Sequence, residues 1–225
     1  MSAYFSKRTL DFLFDLDVNN AKPWFEANRD RFVADAQDPM LRFITDAAEP
    51  IHRRISKHLV ADPRRNGGSM FRIHRDMRFS PDKIPYKTNI GAQFRHAAGK
   101  DAHAPGLYLQ IEPGNCMLAV GMWRPDNATL GKVRERIDAK PAAWTRVVNG
   151  LQDWEWFEDT LVRPPKGYDA DHRHIVDLKR KSFAVSRPLT ERQVTSRAFL
   201  DTFVDTCAEA KPLMRFLCAA IGQDF

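Results

Sequence analysis

Apolar residues recur at helical spacing through the first sixty positions, alternate with polar ones through the middle third, and return to helical spacing toward the end. Leu10, Leu13, Phe14 and Val18 form a stripe behind Ser6, a suitable N-cap, and predict a first helix that stops near Asn19-Asn20. Pro23 suits the first turn of a second helix with Trp24, Phe25, Phe32 and Val33 on its apolar side. Pro39 opens a third, carrying Leu41, Ile44, Ala48, Ile51 and Ile55, with His52, Arg53, Arg54 and Lys57 where the helix dipole favours cations.

Near residue 70 the period changes to two. From Tyr86 to Arg95 the even positions are Tyr, Thr, Ile, Ala and Phe, and the odd ones Lys, Asn, Gly, Gln and Arg, which predicts a half-buried strand. Before it, Phe71, Ile73, Met77 and Phe79 alternate with Arg72, His74, Asp76 and Arg78, and Ser80–Pro85 supplies a turn. Leu107–Ile111 and Cys116–Trp123, joined through Pro113-Gly114-Asn115, read as a hairpin. Asp126 and Pro141 open two more helices, Trp154–Phe157 and Ser182–Ser186 are candidate strands, and Thr190-x-x-Gln193 is a capping box before two closing helices. The expectation is one α+β domain over residues 1–225. Residues 1–60 form a helical part, 70–123 antiparallel strands, and 125–225 helices with one or two further strands, giving a meander of about 4–6 strands packed by helices from both chain ends.

Charge sharpens this picture at one place. Residues 64–100 hold nine Lys/Arg and two Asp, a local charge of +7, whereas the whole chain carries +6 and the remainder therefore sums to −1. A basic excess this local points to a patch or pocket for an anion rather than to a generally adhesive surface. No stretch approaches the roughly 18 apolar residues needed to span a bilayer, so no membrane partner is expected. Three cysteines, Cys116, Cys207 and Cys218, with no close pair, call for neither a disulfide framework nor a cysteine zinc site and fit a reduced cytoplasmic protein.

Within the basic stretch, Arg72, Arg75, Asp76, Arg78, Lys83, Tyr86 and Lys87 are the candidate ligand-binding residues. Arginine grips phosphate or carboxylate with a planar bidentate fork, Asp76 can orient a guanidinium, and Tyr86 can donate a hydrogen bond. Arg75 falls on the apolar side, where an unpaired charge costs several kcal/mol, so it must reach a carboxylate, cap carbonyls or enter a cavity. His172-x-His174 is a weak metal candidate because a third firm ligand is missing. No nucleophile elbow and neither of the two common glycine-rich phosphate loops is present, and no cofactor is called for.

The series Arg72-x-x-Arg75-Asp76-x-Arg78-Phe79-x-x-Asp82-Lys83-x-x-Tyr86 resembles the signature of a bacterial family of conserved hypothetical proteins, the domain of unknown function twenty-four sixty-one. Asn19-Asn20, Trp24-Phe25 and Asn28-Arg29 extend the resemblance upstream, and Gly121-Met-Trp-Arg-Pro125 with Leu130, Arg134 and Ile137 extends it downstream. The resemblance implies a single-domain cytoplasmic protein and carries no catalytic roles. Three functions are compatible with these residues. The first is binding of a small phosphate- or carboxylate-bearing ligand at residues 72–87, with any reaction undefined. The second is nucleic-acid binding through the basic sheet face. The third is an architectural network of arginines paired with Asp15, Asp17, Glu26 and Asp30.

Overall fold

The computed structural model describes residues 2–76, 78, 84–99 and 104–225. Its first helix, α1 (Lys7–Val18), follows Ser6, whose backbone N–H donates to Thr9 Oγ1 at 3.1 Å. The buried stripe is Leu10, Phe12, Leu13 and Leu16, while Phe14 and Val18 face solvent at 60% and 68% exposure, so the helix turns its apolar side slightly away from the expected one. Pro23 sits in the first turn of α2 (Lys22–Ala27). The second predicted helix is broken at Asn28, where α3 (Arg29–Phe32) starts, and a π-helical turn (Val33–Gln37) runs into α4 (Asp38–Arg54).

Three strands follow as a meander: β1 (Ile90–Arg95), β2 (Gly106–Ile111) and β3 (Cys116–Met122). Asp126 caps α5 (Asn127–Ala139) by accepting from the Thr129 N–H at 2.7 Å, and Pro141 opens α6 (Pro141–Asn149). After the short β4 (Glu155–Trp156) and α7 (Ile175–Leu178), β5 (Phe183–Leu189) pairs with β3, and β4 lies on its outer side. The sheet has the antiparallel order β1-β2-β3-β5-β4. The expected Thr190/Gln193 capping box is formed at α8 (Glu191–Val194), with the Gln193 N–H donating to Thr190 Oγ1 at 3.2 Å. The closing helices α9 (Phe199–Glu209) and α10 (Lys211–Ala220) return to the sheet.

The helices cover one face of that sheet. Phe94 of β1 meets Phe43 of α4 and Phe203 of α9, with ring centroids 6.4 Å and 5.6 Å away. At the other side Trp144 of α6 packs against Phe183 of β5 and Phe216 of α10. Ile90, Ala92, Leu107, Leu109, Leu118, Val120 and Val185 fill the space between them and are essentially inaccessible. The fold is α+β, as the alternation of periods indicates.

The basic segment departs from the predicted regular strand. Among the described residues it touches β1 and its own return arm only through isolated bridges, Met70 with Ala92 and His74 with Tyr86. Met70 takes the core-facing position opposite Ala92, and Phe71 therefore points to the other side of the sheet, 36% exposed, while Ile73 is buried. Met77, Phe79 and the expected turn from Ser80 to Lys83 lie outside the described residues.

Candidate functional site

The sheet face turned away from the helices is built from small residues. In register across the strands, Gly106 opposes Gly121 and Gly121 opposes Ala184; in the next row Gln93 opposes Tyr108, Tyr108 opposes Ala119, and Ala119 opposes Ser186. Two glycines here answer to steric demands. Gly121 has φ +132°, and a Cβ there would collide with the Phe183 carbonyl oxygen. A Cβ at Gly91 would lie 2.9 Å from the Tyr108 hydroxyl. The floor is thereby lowered, and a cavity of ≈ 360 Å³ opens over it.

Aromatic side chains wall this floor. Phe71 meets Tyr108 edge to face at 5.8 Å on the β1 side, and Trp123 meets Phe157 edge to face at 4.7 Å on the far side. The polar side chains at the rim are Lys87, Asn89 and Gln93, on the odd-numbered face that the alternation predicts for β1 and its approach. A cavity of this size with apolar walls and few polar groups is the usual form of a small-molecule site.

Lys87 is the charged member. Its backbone N–H donates to the Ile73 carbonyl at 2.8 Å, which fixes the stem, and its ammonium lies 5.2 Å from the centroid of the Phe71 ring. Among the described residues it makes no ion pair. Burial lowers its pKa from the usual lysine value, and the guanidinium of Arg72 lowers it further. Burial and a like charge both disfavour the proton, and the face of the Phe71 ring is the contact that offsets part of that cost.

Tyr108 is held as a neutral phenol. Burial, and secondarily the Glu112 carboxylate, push its pKa up to about 12. Its hydroxyl donates to Gln110 Oε1 at 3.1 Å, and Gln110 Nε2 donates to Glu112 Oε2 at 3.0 Å. Thr88 occupies the other Glu112 oxygen at 2.7 Å, so this carboxylate is spent inside the protein.

The far wall is braced through Arg124, a non-glycine residue at positive φ (41°). Its N–H donates to Ser182 Oγ at 3.0 Å and its Nε to Asp159 Oδ2 at 2.8 Å, while Lys181 holds the other Asp159 oxygen at 3.1 Å. The Lys181 hydrogen bond, followed by burial acting the other way and the Arg124 hydrogen bond, leaves the Asp159 pKa below the ordinary aspartate value. This clasp sets the chain direction between Trp123 and the buried Pro125.

The other sequence candidates divide around this cavity. Asp76 and Arg78 pair with each other at 2.6 Å on the exposed side, where hydrogen bonds from the Arg78 side chain and backbone hold the Asp76 pKa down at about 2. Arg72 is exposed beside them. Arg75 is half-buried, its N–H donates to the Pro85 carbonyl at 2.9 Å, and it reaches no carboxylate among the described residues. Tyr86 points the opposite way from Lys87: its ring is 2% exposed and stacks on Phe25 at 4.2 Å, and Asn20 binds its backbone through both amide atoms. Lys83 lies outside the described residues. Of the acids considered as partners for the hairpin arginines, Asp15 pairs with Arg31 and Glu26 with Arg29.

The remaining candidates lie outside the cavity lining. His172 and His174 fall in a turn before α7 rather than on a strand, His172 lying 3.3 Å from Asp138 and His174 3.8 Å from Asp177. Among the described residues no three His, Cys, Asp or Glu side chains gather as a metal site. The three cysteines are buried, and burial pushes the Cys218 thiol up to about 12. Trp154 and Trp156 are each covered by a guanidinium, of Arg187 and Arg180 respectively. No helix is long and apolar enough to cross a membrane among the described residues.

The conserved hypothetical protein family DUF2461 matches residues 8–216, from the first turn of α1 into α10. The chain belongs to this family. No curated protein and no solved structure matches it. In this DUF2461 protein the matched span contains every strand and the whole cavity lining. Sequence reasoning placed Asn89 and Gln93 beside Lys87 but missed Phe71, Tyr108, Trp123 and Phe157 as walls. The usable signal was the second face of β2 and β3, where Gly106, Tyr108, Ala119, Gly121 and Trp123 alternate with the core residues.

Proposed function

We propose that this DUF2461 protein binds a small molecule with an apolar body and one anionic group, on the open face of its sheet. The observation that carries the reading is Lys87: a half-buried ammonium on an apolar cavity wall, with no carboxylate partner among the described residues. A charge in that position is stabilised by a counter-ion that arrives from outside, because a charge-assisted contact in a partly dry site is worth more than one in water. Phe71, Met117, Trp123 and Phe157 would take the apolar body. Arg72 adds positive potential at the entrance without entering the cavity lining. No nucleophile, metal cluster or acid–base pair stands at the cavity among the described residues, so the reading stops at binding.

Calorimetric titration of naphthoate against its uncharged analogue naphthalenemethanol tests this. The carboxylate is expected to bind about tenfold or more tightly, the worth of one charge-assisted hydrogen bond, and Lys87→Met should remove that advantage. Equal binding of the two compounds, failure of both to bind, or an advantage that survives Lys87→Met would overturn the reading.

A further inference from the structure

We infer that the body of the ligand is a planar heteroaromatic ring whose amide-like edge is read by Gln93; the inference rests on the cavity being the ligand site. Three observations carry it.

The floor under the far half of the cavity carries no large side chain. Gly106, Gly121, Ala119 and Ala184 place either no side chain or a single methyl on four adjacent positions of three neighbouring strands. Strands lie about 4.8 Å apart, so this plate is broad enough to seat a fused two-ring system face down. The walls agree with a ring: Tyr108, Trp123 and Phe157 stand around the plate, and aromatic groups meet one another in edge-to-face or offset arrangements.

Gln93 stands at the edge of the plate. It is the register partner of Tyr108 and shares its row with Ala119. Its side-chain amide is half-buried, lines the cavity, and makes no hydrogen bond to the protein among the described residues. On that face Tyr108 is spent on Gln110, and Gln110 on Glu112 and the Asn115 carbonyl; Asn89 is the other lining amide with no side-chain hydrogen bond among the described residues, and of the two Gln93 is the one in register with Tyr108 beside the floor. An idle carboxamide offers one donor and one acceptor side by side. Its complement is a ring edge with an adjacent acceptor and donor, as when glutamine or asparagine binds adenine in a bidentate fashion.

The anion then sits on the Phe71 side of the floor. The Lys87 ammonium is 5.2 Å from the Phe71 centroid, and that centroid is 5.8 Å from the Tyr108 ring. Phe71 therefore links the Lys87 ammonium to the Tyr108 side of the floor. The ligand class is a lactam- or amidine-edged heterocycle carrying a phosphate or carboxylate, rather than a fatty acid.

A matched pair of probes tests this: quinazolinone carboxylate, which has a lactam edge, against naphthoate, which has the same two fused rings and none. The quinazolinone is expected to bind at least tenfold more tightly to the wild-type protein. Gln93→Leu, which removes the amide and keeps the volume, should bring the two to equality. Naphthoate binding as well as quinazolinone, or a preference that persists in Gln93→Leu, overturns this inference and leaves the cavity reading intact. Failure of both compounds to bind overturns the two together.

Discussion

Tyr86 and Lys87 are consecutive residues that point to opposite sides of the sheet: the Tyr86 ring stacks on Phe25 at 4.2 Å in the helical core, and the Lys87 ammonium lies 5.2 Å from the Phe71 centroid on the open face. One peptide unit separates a core packing residue from the residue proposed to hold the anion. Tyr86→Phe should leave both folding and naphthoate affinity unchanged, and Tyr86→Ala should cost about 3–5 kcal/mol, as for other large aromatic truncations. Lys87→Met should weaken naphthoate about tenfold or more without lowering the melting temperature. Calorimetry and denaturant melts on the three variants check this. Loss of naphthoate affinity in Tyr86→Phe would place the phenol in the site.

Lys87 also sets a pH dependence. Its folded-state pKa lies below the ordinary lysine value, so the folded protein binds this proton less firmly than the unfolded chain does. The burial penalty is fully present below the folded pKa. It is relieved as pH rises through that value toward 10.5, where the unfolded lysine titrates. Stability measured against Lys87→Met should therefore rise along this alkaline limb, and anion affinity should fall along the same limb. A difference between the two proteins that stays flat up to pH 10.5 contradicts the assignment.

The floor of the cavity can be tested at Gly121. A Cβ at φ +132° is strained in itself and meets the Phe183 carbonyl oxygen, a backbone atom that cannot step aside. Gly121→Ala is expected to destabilise the fold by about 3 kcal/mol or more. Gly131, in α5 with open space around its Cβ position, is the control, and Gly131→Ala should be neutral or stabilising. Chemical denaturation of both variants reads the difference.

What the sequence disclosed follows from which signals are local. Helix caps such as Asp126 and Thr190, and the alternation of Ile90, Ala92 and Phe94, are written into a few adjacent residues, and the α+β class follows from them. The basic cluster drew attention to residues 72–87, yet charge density carries no direction. Asp76 and Arg78 neutralise each other in solvent, Tyr86 turns inward, and Lys87 enters the cavity. The walls were illegible because Trp123, Phe157 and Phe71 come from distant segments that only the β3-β5-β4 pairing and the Met70–Ala92 bridge bring together. Phe71 shares the apolar side of the alternation with Ile73, but the Met70–Ala92 bridge gives Met70 the core-facing place and leaves Phe71 on the open face, while Ile73 is buried.

The second buried polar centre has a structural task. Asp177 accepts from the Trp144 indole N–H at 2.7 Å and pairs with Arg180 at 3.1 Å, tying α7 to α6 beneath the sheet edge. Asp177→Ala strands the guanidinium, which is only 11% exposed, and the indole N–H as well. A loss of about 3–5 kcal/mol is expected, since breaking a buried pair leaves its partner uncompensated. Naphthoate affinity of the folded fraction should not change. Thermal melts with and without the probe separate the two effects.

Amide chemical-shift mapping with naphthoate locates the ligand relative to the open face of the sheet at Lys87. Perturbations are expected to cluster at Gly91, Gly106, Ala119, Gly121 and Ala184, with Lys87 among them. Perturbations confined to Arg72, Asp76 and Arg78 on the exposed side, with the sheet floor silent, would contradict binding at this face.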